Sequence, residues 1–199
     1  MIVNNELKYV FISVPKTGSL SIQYSLGFGK NVPAPEFYHQ GIARAINEHP
    51  ECADYFKFAF IRNPWARLVS LYKDFTVHRI YQYSEFVKHD KPLFGEFKDF
   101  EDFCINVKSS YWWDDIFLKS QTNQLSIDGI LKMDFIGRFE QLQNDFNVVC
   151  SKIGVPYKLL RKNIGKYDNS DYRKYYTEAS RKAVTKMYLD DIESFKYEF

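Results

Sequence analysis

Residues 8–26, KYVFISVPKTGSLSIQYSL, decide the fold because they predict a strand, a tight turn and a helix in immediate succession. Residues 9–14 form a short, nearly continuous apolar run of β-branched and aromatic side chains, which is typical of a strand buried on both faces of a parallel sheet. Pro15 ends this strand, and Ile22, Tyr24 and Leu26 then follow at helical spacing. The stretch is therefore expected to be a strand-loop-helix unit of an α/β fold.

The turn in this unit carries residues suited to binding an anion. Lys16, Thr17, Gly18, Ser19 and Ser21 combine one cation, one permissive backbone position and several hydroxyl groups. A helix that begins here directs its first backbone N–H groups and the positive end of its dipole back at the turn. These groups would converge on a phosphate at the strand end where open α/β sheets bind ligands. The same residues also fit an ordinary surface turn, which is the competing interpretation.

The turn differs from a Walker A loop. That loop follows the pattern G-x-x-x-x-G-K-[ST], whereas Lys16 here precedes Gly18 and no glycine stands four or five residues before the lysine. A phosphate site at this position would therefore be of another type.

A second strand-loop-helix unit begins near residue 55. Residues 55–61, YFKFAFI, predict a strand, and Arg62 follows it directly. Asn63 is a good N-cap and Pro64 suits the first helical position, so a helix is expected to begin there. Ser70 falls on a different side of this helix from its apolar stripe. Two such units side by side could bind two separate anionic groups.

Composition excludes several classes of protein. The chain has 199 residues, a formal charge of +2 and interspersed charges, which argues for one domain and against a nucleic-acid protein with a dense basic patch. Its three cysteines, Cys52, Cys104 and Cys150, lie far apart, so neither a zinc site nor a disulfide framework is indicated. We find no signal peptide and no apolar run near the ~18 residues of a membrane span, so a soluble, cytoplasmic protein is expected.

The second half of the chain predicts further helices and one more strand. Residues 96–107 have amphipathic spacing, and residues 133–137 form an apolar run that leads to Arg138. Residues 139–153 keep a three- and four-residue apolar pattern, and Thr177 can cap a last helix. The segment 76–131, which contains the first of these helices, also carries an aromatic cluster at residues 111–113 and amides at residues 121–124. Such side chains suit a sugar acceptor, although they could equally cap the core.

Four segments together resemble a known enzyme family. They are FISVPKTGSLS at 11–21, FAFIRNPWARLVSLY at 58–72, DFIGRFEQLQNDF at 134–146 and the final DYRKYYTEASRKAVTKMYLDDIESFKYEF at 171–199. In this order they resemble the sulfotransferases that use 3′-phosphoadenosine 5′-phosphosulfate (PAPS), in the branch of Golgi carbohydrate sulfotransferases and their small bacterial relatives. The resemblance implies one domain over residues 1–199, with a three-layer, P-loop-NTPase-like α/β fold whose central, mainly parallel sheet is flanked by helices.

The resemblance also implies roles for individual residues. Those that would hold the 5′-phosphosulfate are Pro15, Lys16, Thr17, Gly18, Ser19 and Ser21. Arg62 and Ser70 would bind the 3′-phosphate, and Arg138 matches a family arginine near the nucleotide. Lys16 would stabilise the leaving oxygen, and His39 would be the base that takes the proton of an acceptor hydroxyl, expected to be on a carbohydrate. No metal is expected. Leu20 departs from the pattern, since the family usually has a threonine or another small residue there.

Two other functions fit parts of the sequence. The first is a kinase-like P-loop enzyme that uses ATP and Mg²⁺. Two features count against it: the reversed order of lysine and glycine, and the absence of an evident Walker B aspartate. The second is a non-catalytic nucleotide- or glycan-binding module that keeps the pockets without turnover. The joint presence of Lys16, Arg62, Ser70 and His39 favours an enzyme.

Overall fold

A computed structural model describes residues 1–28, 40–78, 96–160 and 171–199 of the chain. By its backbone contacts the chain divides into two compact units. Unit 1 consists of Met1–Arg62 and Lys119–Lys166, and unit 2 of Asn63–Leu118 and Tyr167–Phe199. That residues 1–199 fold as one domain stays a prediction.

The described elements follow one another in a mixed α/β order. The strands are β1 Ile2–Asn4, β2 Tyr9–Ile12, β3 Phe56–Ile61, β4 Ser126–Ile127, β5 Ile130–Leu131 and β6 Phe135–Arg138. The helices are α1 Ser19–Ser25, α2 Ile42–Glu48, α3 Pro64–Lys73, α4 Phe100–Asn106, α5 Gln121–Leu125, α6 Leu142–Ile153, α7 Glu178–Met187 and α8 Leu189–Phe195. Short 3₁₀ segments include Pro50–Asp54, Phe139–Gln141 and Tyr172–Tyr175.

Unit 1 is built on a four-stranded sheet in the order β1-β2-β3-β6. Strand β1 is antiparallel to β2, whereas β2, β3 and β6 run parallel, with Phe11 opposite Phe58 and Phe58 opposite Phe135. Helices α1, α2, α5 and α6 belong to the same unit and flank this sheet. The prediction of a mainly parallel sheet flanked by helices is therefore confirmed.

Aromatic rings form much of the core of unit 1. The Phe58 ring lies 5.2 Å from the Phe11 ring and 5.7 Å from the Tyr9 ring, measured between centroids. Phe146 of α6 and Ile22 of α1 belong to the same buried cluster. The residues of β2 between these aromatics are also fully buried, as predicted for a strand covered on both faces. This packing fixes the strand ends at which the candidate site lies.

Unit 2 is helical and has its own aromatic cluster. The Asn63 Oδ1 accepts hydrogen bonds from the backbone N–H groups of Trp65 and Ala66 at 3.1 Å, so the predicted N-cap of α3 is confirmed. The ring of Phe199, the last residue, packs against the rings of Trp65 and Tyr176 at centroid distances of 5.4 and 5.5 Å. The aromatic end of the chain is therefore packed into unit 2.

A charged residue is also buried in unit 2. Arg67 of α3 is only 2% exposed, and its Nη1 donates to the Phe117 carbonyl at 3.3 Å. Its guanidinium lies 5.3 Å from the centre of the Tyr188 ring. Burial raises the pKa of Tyr188 to about 12. Tyr188 therefore stays protonated at neutral pH and donates its hydroxyl proton to the Leu118 carbonyl at 3.0 Å.

The structure differs from the sequence predictions in several places. The pattern at residues 139–153 predicts one helix, but Phe139–Gln141 is 3₁₀ and the α-helix begins at Leu142. The last helix is divided at Tyr188, where the φ of −119° leaves helical geometry. Strand β1 and the hairpin β4-β5, which turns through Asp128 and Gly129 at positive φ, were not predicted. Residues 36–39, whose sequence suggests a short strand, lie outside the described residues.

In the described parts of the chain, none of the helices has both the length and the apolar character needed to cross a membrane.

Candidate functional site

The loop after β2 adopts a backbone shape that favours anion binding. Lys16 has a φ of 67° and Gly18 a φ of 80°, so both lie in the left-handed region. Left-handed residues within a short turn point successive backbone N–H groups toward a common concave side, which is the arrangement that cradles phosphate groups. Lysine adopts this conformation at a cost, which makes Lys16 a strained residue of the kind found at functional sites.

The hydroxyl-bearing residues of the loop and of the first turn of α1 are all buried. Thr17 is fully buried, and its Oγ1 donates to the Val14 carbonyl at 2.9 Å. The proton of Thr17 is therefore used to close the turn. Ser19 and Ser21 lie in the first turn of α1 with 6% and 7% of their surface exposed. Pro15 is buried at the start of the loop, while Lys16 is half-buried.

Gly18 allows the loop to approach the start of the segment after β6. A Cβ added at Gly18 would lie 3.0 Å from Cδ2 of Leu142 and 3.2 Å from Cδ2 of Phe139. The positive φ and this close approach both require a residue without a side chain. The loop is thus packed directly against Phe139.

The backbone of Arg62 is held by a side chain from α5. Arg62 is the first residue after β3, and its N–H donates to Oε1 of Gln121 at 2.9 Å. The Nε2 of Gln121 in turn donates to the Arg62 carbonyl at 2.9 Å. Gln121 is fully buried, so its amide takes the place of a further strand neighbour at the point where β3 ends.

The side chain of Arg62 turns back toward the loop. Its Nη1 donates to the carbonyl of Lys16 at 3.3 Å. Its guanidinium carbon lies 4.1 Å from the centre of the Phe139 ring, within the range of a cation–π interaction. Arg62 is 7% exposed. The cation after β3 and the loop after β2 are thus parts of one arrangement.

Arg138 brings a third cation to the same edge of the sheet. It is the last residue of β6 and pairs with Ile61 of β3. Its backbone N–H donates to Oδ2 of Asp145 at 2.6 Å, and its side chain is half-buried. Since β2, β3 and β6 are parallel neighbours, Lys16, Arg62 and Arg138 all lie at or just after the carboxyl ends of these strands, where open α/β sheets bind ligands.

Two of the predicted site residues lie outside the described part of unit 1. Ser70 lies on α3 in unit 2 and is half-buried. His39, the predicted base, lies outside the described residues. Of the other histidines, His49 is half-buried, with its Nδ1 3.5 Å from a Glu51 carboxylate oxygen. The sequence assigned His49 no catalytic role.

Neither thiol chemistry nor a metal centre is visible where the structure describes the chain. Burial raises the pKa of all three cysteine thiols, Cys52, Cys104 and Cys150, so they stay protonated and unreactive at neutral pH. No group of three or more histidine, cysteine, aspartate or glutamate side chains among the described residues could hold a metal ion.

Sequence reasoning missed two residues of the site. Gln121 was grouped with amides that suit a sugar, but both polar atoms of its side chain bind the backbone of Arg62. Phe139 was assigned to the apolar face of a helix, yet its ring lies against Arg62 and Gly18. The one signal in the sequence was the position of Phe139, which follows a predicted strand end and its arginine.

Comparison with known proteins assigns the chain to a family. The model of the sulfotransferase family matches residues 1–198. An uncharacterized protein of Archaeoglobus fulgidus is 36% identical over 121 residues, which cover 60% of this chain and 84% of that protein. Human carbohydrate sulfotransferase 9 is 27% identical over 157 residues, covering 69% of this chain and 33% of the relative. Carbohydrate sulfotransferase 10 of Xenopus laevis is 24% identical over 175 residues, covering 76% and 49%.

The match to the two carbohydrate sulfotransferases covers a third and about half of their lengths. No solved structure matches the chain.

Proposed function

Because the chain belongs to the sulfotransferase family, we propose that it transfers a sulfuryl group from PAPS to an acceptor hydroxyl on a carbohydrate. One observation carries the proposal. The loop after β2 and the guanidinium of Arg62 are joined by a 3.3 Å hydrogen bond from Nη1 to the Lys16 carbonyl. Two anion-binding elements in one arrangement suit a nucleotide with phosphate groups at its 5′ and 3′ positions.

The loop is the proposed site of the 5′-phosphosulfate. The left-handed backbone at Lys16 and Gly18 supports a cradle of N–H groups, and the strand-loop-helix order supports a P-loop-NTPase-like fold. Ser19 and Ser21 would add hydroxyl donors. Thr17 would contribute its backbone N–H alone, because its hydroxyl proton is donated to Val14. Pro15 would fix the entry to the loop.

Arg62 is the proposed ligand of the 3′-phosphate. A guanidinium offers a planar set of N–H donors that matches phosphate geometry, and Arg62 is always charged. Ser70 is proposed to donate a hydroxyl to the same phosphate, and Arg138 to contact the nucleotide from the third strand end. These assignments follow the family motifs, and the sheet-edge positions of Arg62 and Arg138 support them.

The proposed chemistry needs charge stabilisation and one proton acceptor. PAPS supplies an activated sulfuryl group when it is bound. Lys16 would stabilise the negative charge on the leaving oxygen of the nucleotide, which is the usual way for a fixed cation to lower such a barrier. His39 would take the proton of the acceptor hydroxyl, since a neutral imidazole suits this task near pH 7. Protein cations would serve in place of a metal ion.

The proposed acceptor is a carbohydrate. Two relatives carry the name carbohydrate sulfotransferase, and this is the observation that supports the acceptor class. The segment 76–131 is proposed to contact the acceptor, although Gln121 within it serves Arg62.

An activity assay tests the proposal. Purified protein is incubated with PAPS labelled in the sulfuryl group and a panel of neutral and acidic oligosaccharides, with no added metal. Transfer of label to at least one oligosaccharide, lost in Lys16→Ala, is the expected result. The contrary result is that no oligosaccharide takes up label but a simple alcohol or phenol does. It would contradict the carbohydrate acceptor and leave the proposed sulfuryl transfer standing.

A further inference from the structure

We propose that Phe139 is a positioning residue that holds Arg62 and the loop after β2 in a fixed relation, and thereby makes the site select nucleotides with phosphate at both the 3′ and the 5′ position. The inference rests on the proposed function. It assigns to Phe139 a role in donor selectivity, through Arg62, and no contact with the reacting atoms.

Strand register brings Phe139 beside Arg62. Ile61 of β3 is paired with Arg138 of β6, and the two strands are parallel. Arg62 and Phe139 are the next residues on these neighbouring strands, so they leave the sheet side by side. The 3₁₀ segment Phe139–Gln141 then begins immediately. The backbone position of Phe139 is therefore set by the same sheet that sets Arg62.

The Phe139 ring touches both anion-binding elements. The guanidinium carbon of Arg62 lies 4.1 Å from the ring centre. A Cβ built on Gly18 would lie 3.2 and 3.4 Å from two carbons of the same ring, so the ring borders the loop at Gly18. The hydrogen bond from the Arg62 Nη1 to the Lys16 carbonyl completes the set. The loop, the Phe139 ring and the Arg62 guanidinium each contact the other two.

These contacts restrict Arg62 before a ligand arrives. An arginine side chain has many rotamers, and binding a phosphate normally costs the entropy of fixing them. Contact with the Phe139 ring and the bond to Lys16 hold the guanidinium near one position. The loop is held by the same ring, so the spacing between the two anion-binding elements is set in advance. A ligand with two correctly spaced phosphates gains from this, whereas one with a single phosphate gains less.

The test compares two ligands in matched variants. The dissociation constants of adenosine 3′,5′-bisphosphate and of adenosine 5′-monophosphate are measured by titration calorimetry for the wild type and for Phe139→Leu, and their ratio gives the selectivity. We expect Phe139→Leu to lower the selectivity about tenfold, since it removes the aromatic face under the guanidinium. Phe139→Tyr keeps that face and is expected to keep the selectivity.

Phe146→Leu is the control for general loosening. Phe146 lies in the buried cluster of unit 1, and the same chemical change there lowers stability away from Arg62. Its selectivity is expected to equal that of the wild type. If Phe139→Leu does not fold, Phe139→Met supplies an unbranched apolar side chain without a ring, and the same fall is expected.

Three results would overturn the inference. Unchanged selectivity in Phe139→Leu or its methionine substitute, with a wild type that prefers the bisphosphate, would remove the role of Phe139 and leave the proposed function intact. An equal fall in Phe146→Leu would show that any loosening of the core has the effect. A wild type without preference for the bisphosphate would overturn the proposed function and this inference with it.

Discussion

At the scale of single residues, the candidate site depends on backbone conformations that most side chains avoid. Lys16 and Gly18 have φ values of 67° and 80° within three residues. Gly18 suits this region because it lacks a Cβ, whereas Lys16 adopts it at a cost. The backbone strain at Lys16 thus lies in the loop that forms the proposed phosphosulfate site, which agrees with the tendency of functional sites to carry strain.

Gly18→Ala is expected to lower stability and bisphosphate affinity together. The added methyl meets Leu142 at 3.0 Å and Phe139 at 3.2 Å in addition to the unfavourable φ. Gly27→Ala is the matched control, since Gly27 has a φ of 88° but, among the described residues, no atom within 4 Å of a built Cβ. We expect the control to cost about 1 kcal/mol and Gly18→Ala about 1–3 kcal/mol more, measured by urea unfolding. Equal losses for the two variants would contradict the close packing at Gly18.

Lys16→Gly separates chemistry from folding. The substitution removes the ammonium group and also relieves the left-handed strain at φ 67°. The free energy of unfolding is expected to change by less than about 1 kcal/mol, while the rate of sulfuryl transfer falls at least about 100-fold. Single-turnover assays with saturating PAPS measure the second quantity. A variant with near-normal turnover would rule out the role of Lys16 at the leaving oxygen.

At the scale of elements, the ends of strands and helices explain how the site is assembled. Three parallel strands each lead to a cation at one sheet edge, and α5 supplies the amide that holds the end of β3. The amide of Gln121 both accepts from and donates to the backbone of Arg62, which a carboxylate could not do. Helix α5 is only five residues long, and its contribution to the site is the side chain of Gln121.

Gln121→Glu is expected to destabilise the protein in a pH-dependent way. At pH 7 one carboxylate oxygen would face the Arg62 carbonyl in a fully buried position, at a cost of about 2–3 kcal/mol. Burial and this carbonyl raise the pKa of the new carboxyl in the folded state above the unfolded value of about 4.3. The folded state then binds the proton more tightly, so the penalty shrinks as pH falls from 7 toward 5.

Urea unfolding at pH 7 and pH 5 measures this effect. Asn123→Asp makes the same amide-to-carboxylate change at an exposed position of α5 and serves as the control. It is expected to change stability by less than about 0.5 kcal/mol at both values of pH. A penalty for Gln121→Glu that matches the control, or that does not depend on pH, would show that the amide does not support Arg62.

Most of these elements could be predicted from local signals in the sequence. The aromatic run before Arg62 and the Asn63-Pro64 pair predicted β3 and the start of α3, because strand burial and helix capping are local properties. The strand β1 has three residues and the hairpin β4-β5 two per strand, too short for a periodic signal. The break before α6 was missed because Phe139 follows the apolar period of the helix while its ring packs on Arg62.

At the scale of the whole molecule, the sequence predicts candidate site residues but not the contacts that support them. Lys16, Gly18, Arg62 and Arg138 could be recognised because each follows a strand in a readable motif. The bonds from Gln121 to Arg62 span 59 positions, and no local pattern reports such a contact. The two compact units each have their own buried side chains, and the loop after β2, Arg62 and Arg138, which we propose to bind the donor, lie within unit 1.

The measurement that tests the central claim most directly is a calorimetric titration of the intact chain with adenosine 3′,5′-bisphosphate, compared with ATP and Mg²⁺. We expect clear preference for the bisphosphate, because the two elements proposed to bind its phosphates, the loop after β2 and Arg62, are linked by a hydrogen bond. We also expect Arg62→Ala to weaken the binding of the bisphosphate far more than the binding of adenosine 5′-monophosphate. Preference for ATP would favour a kinase-like enzyme, and no binding of either ligand would contradict the sulfotransferase account.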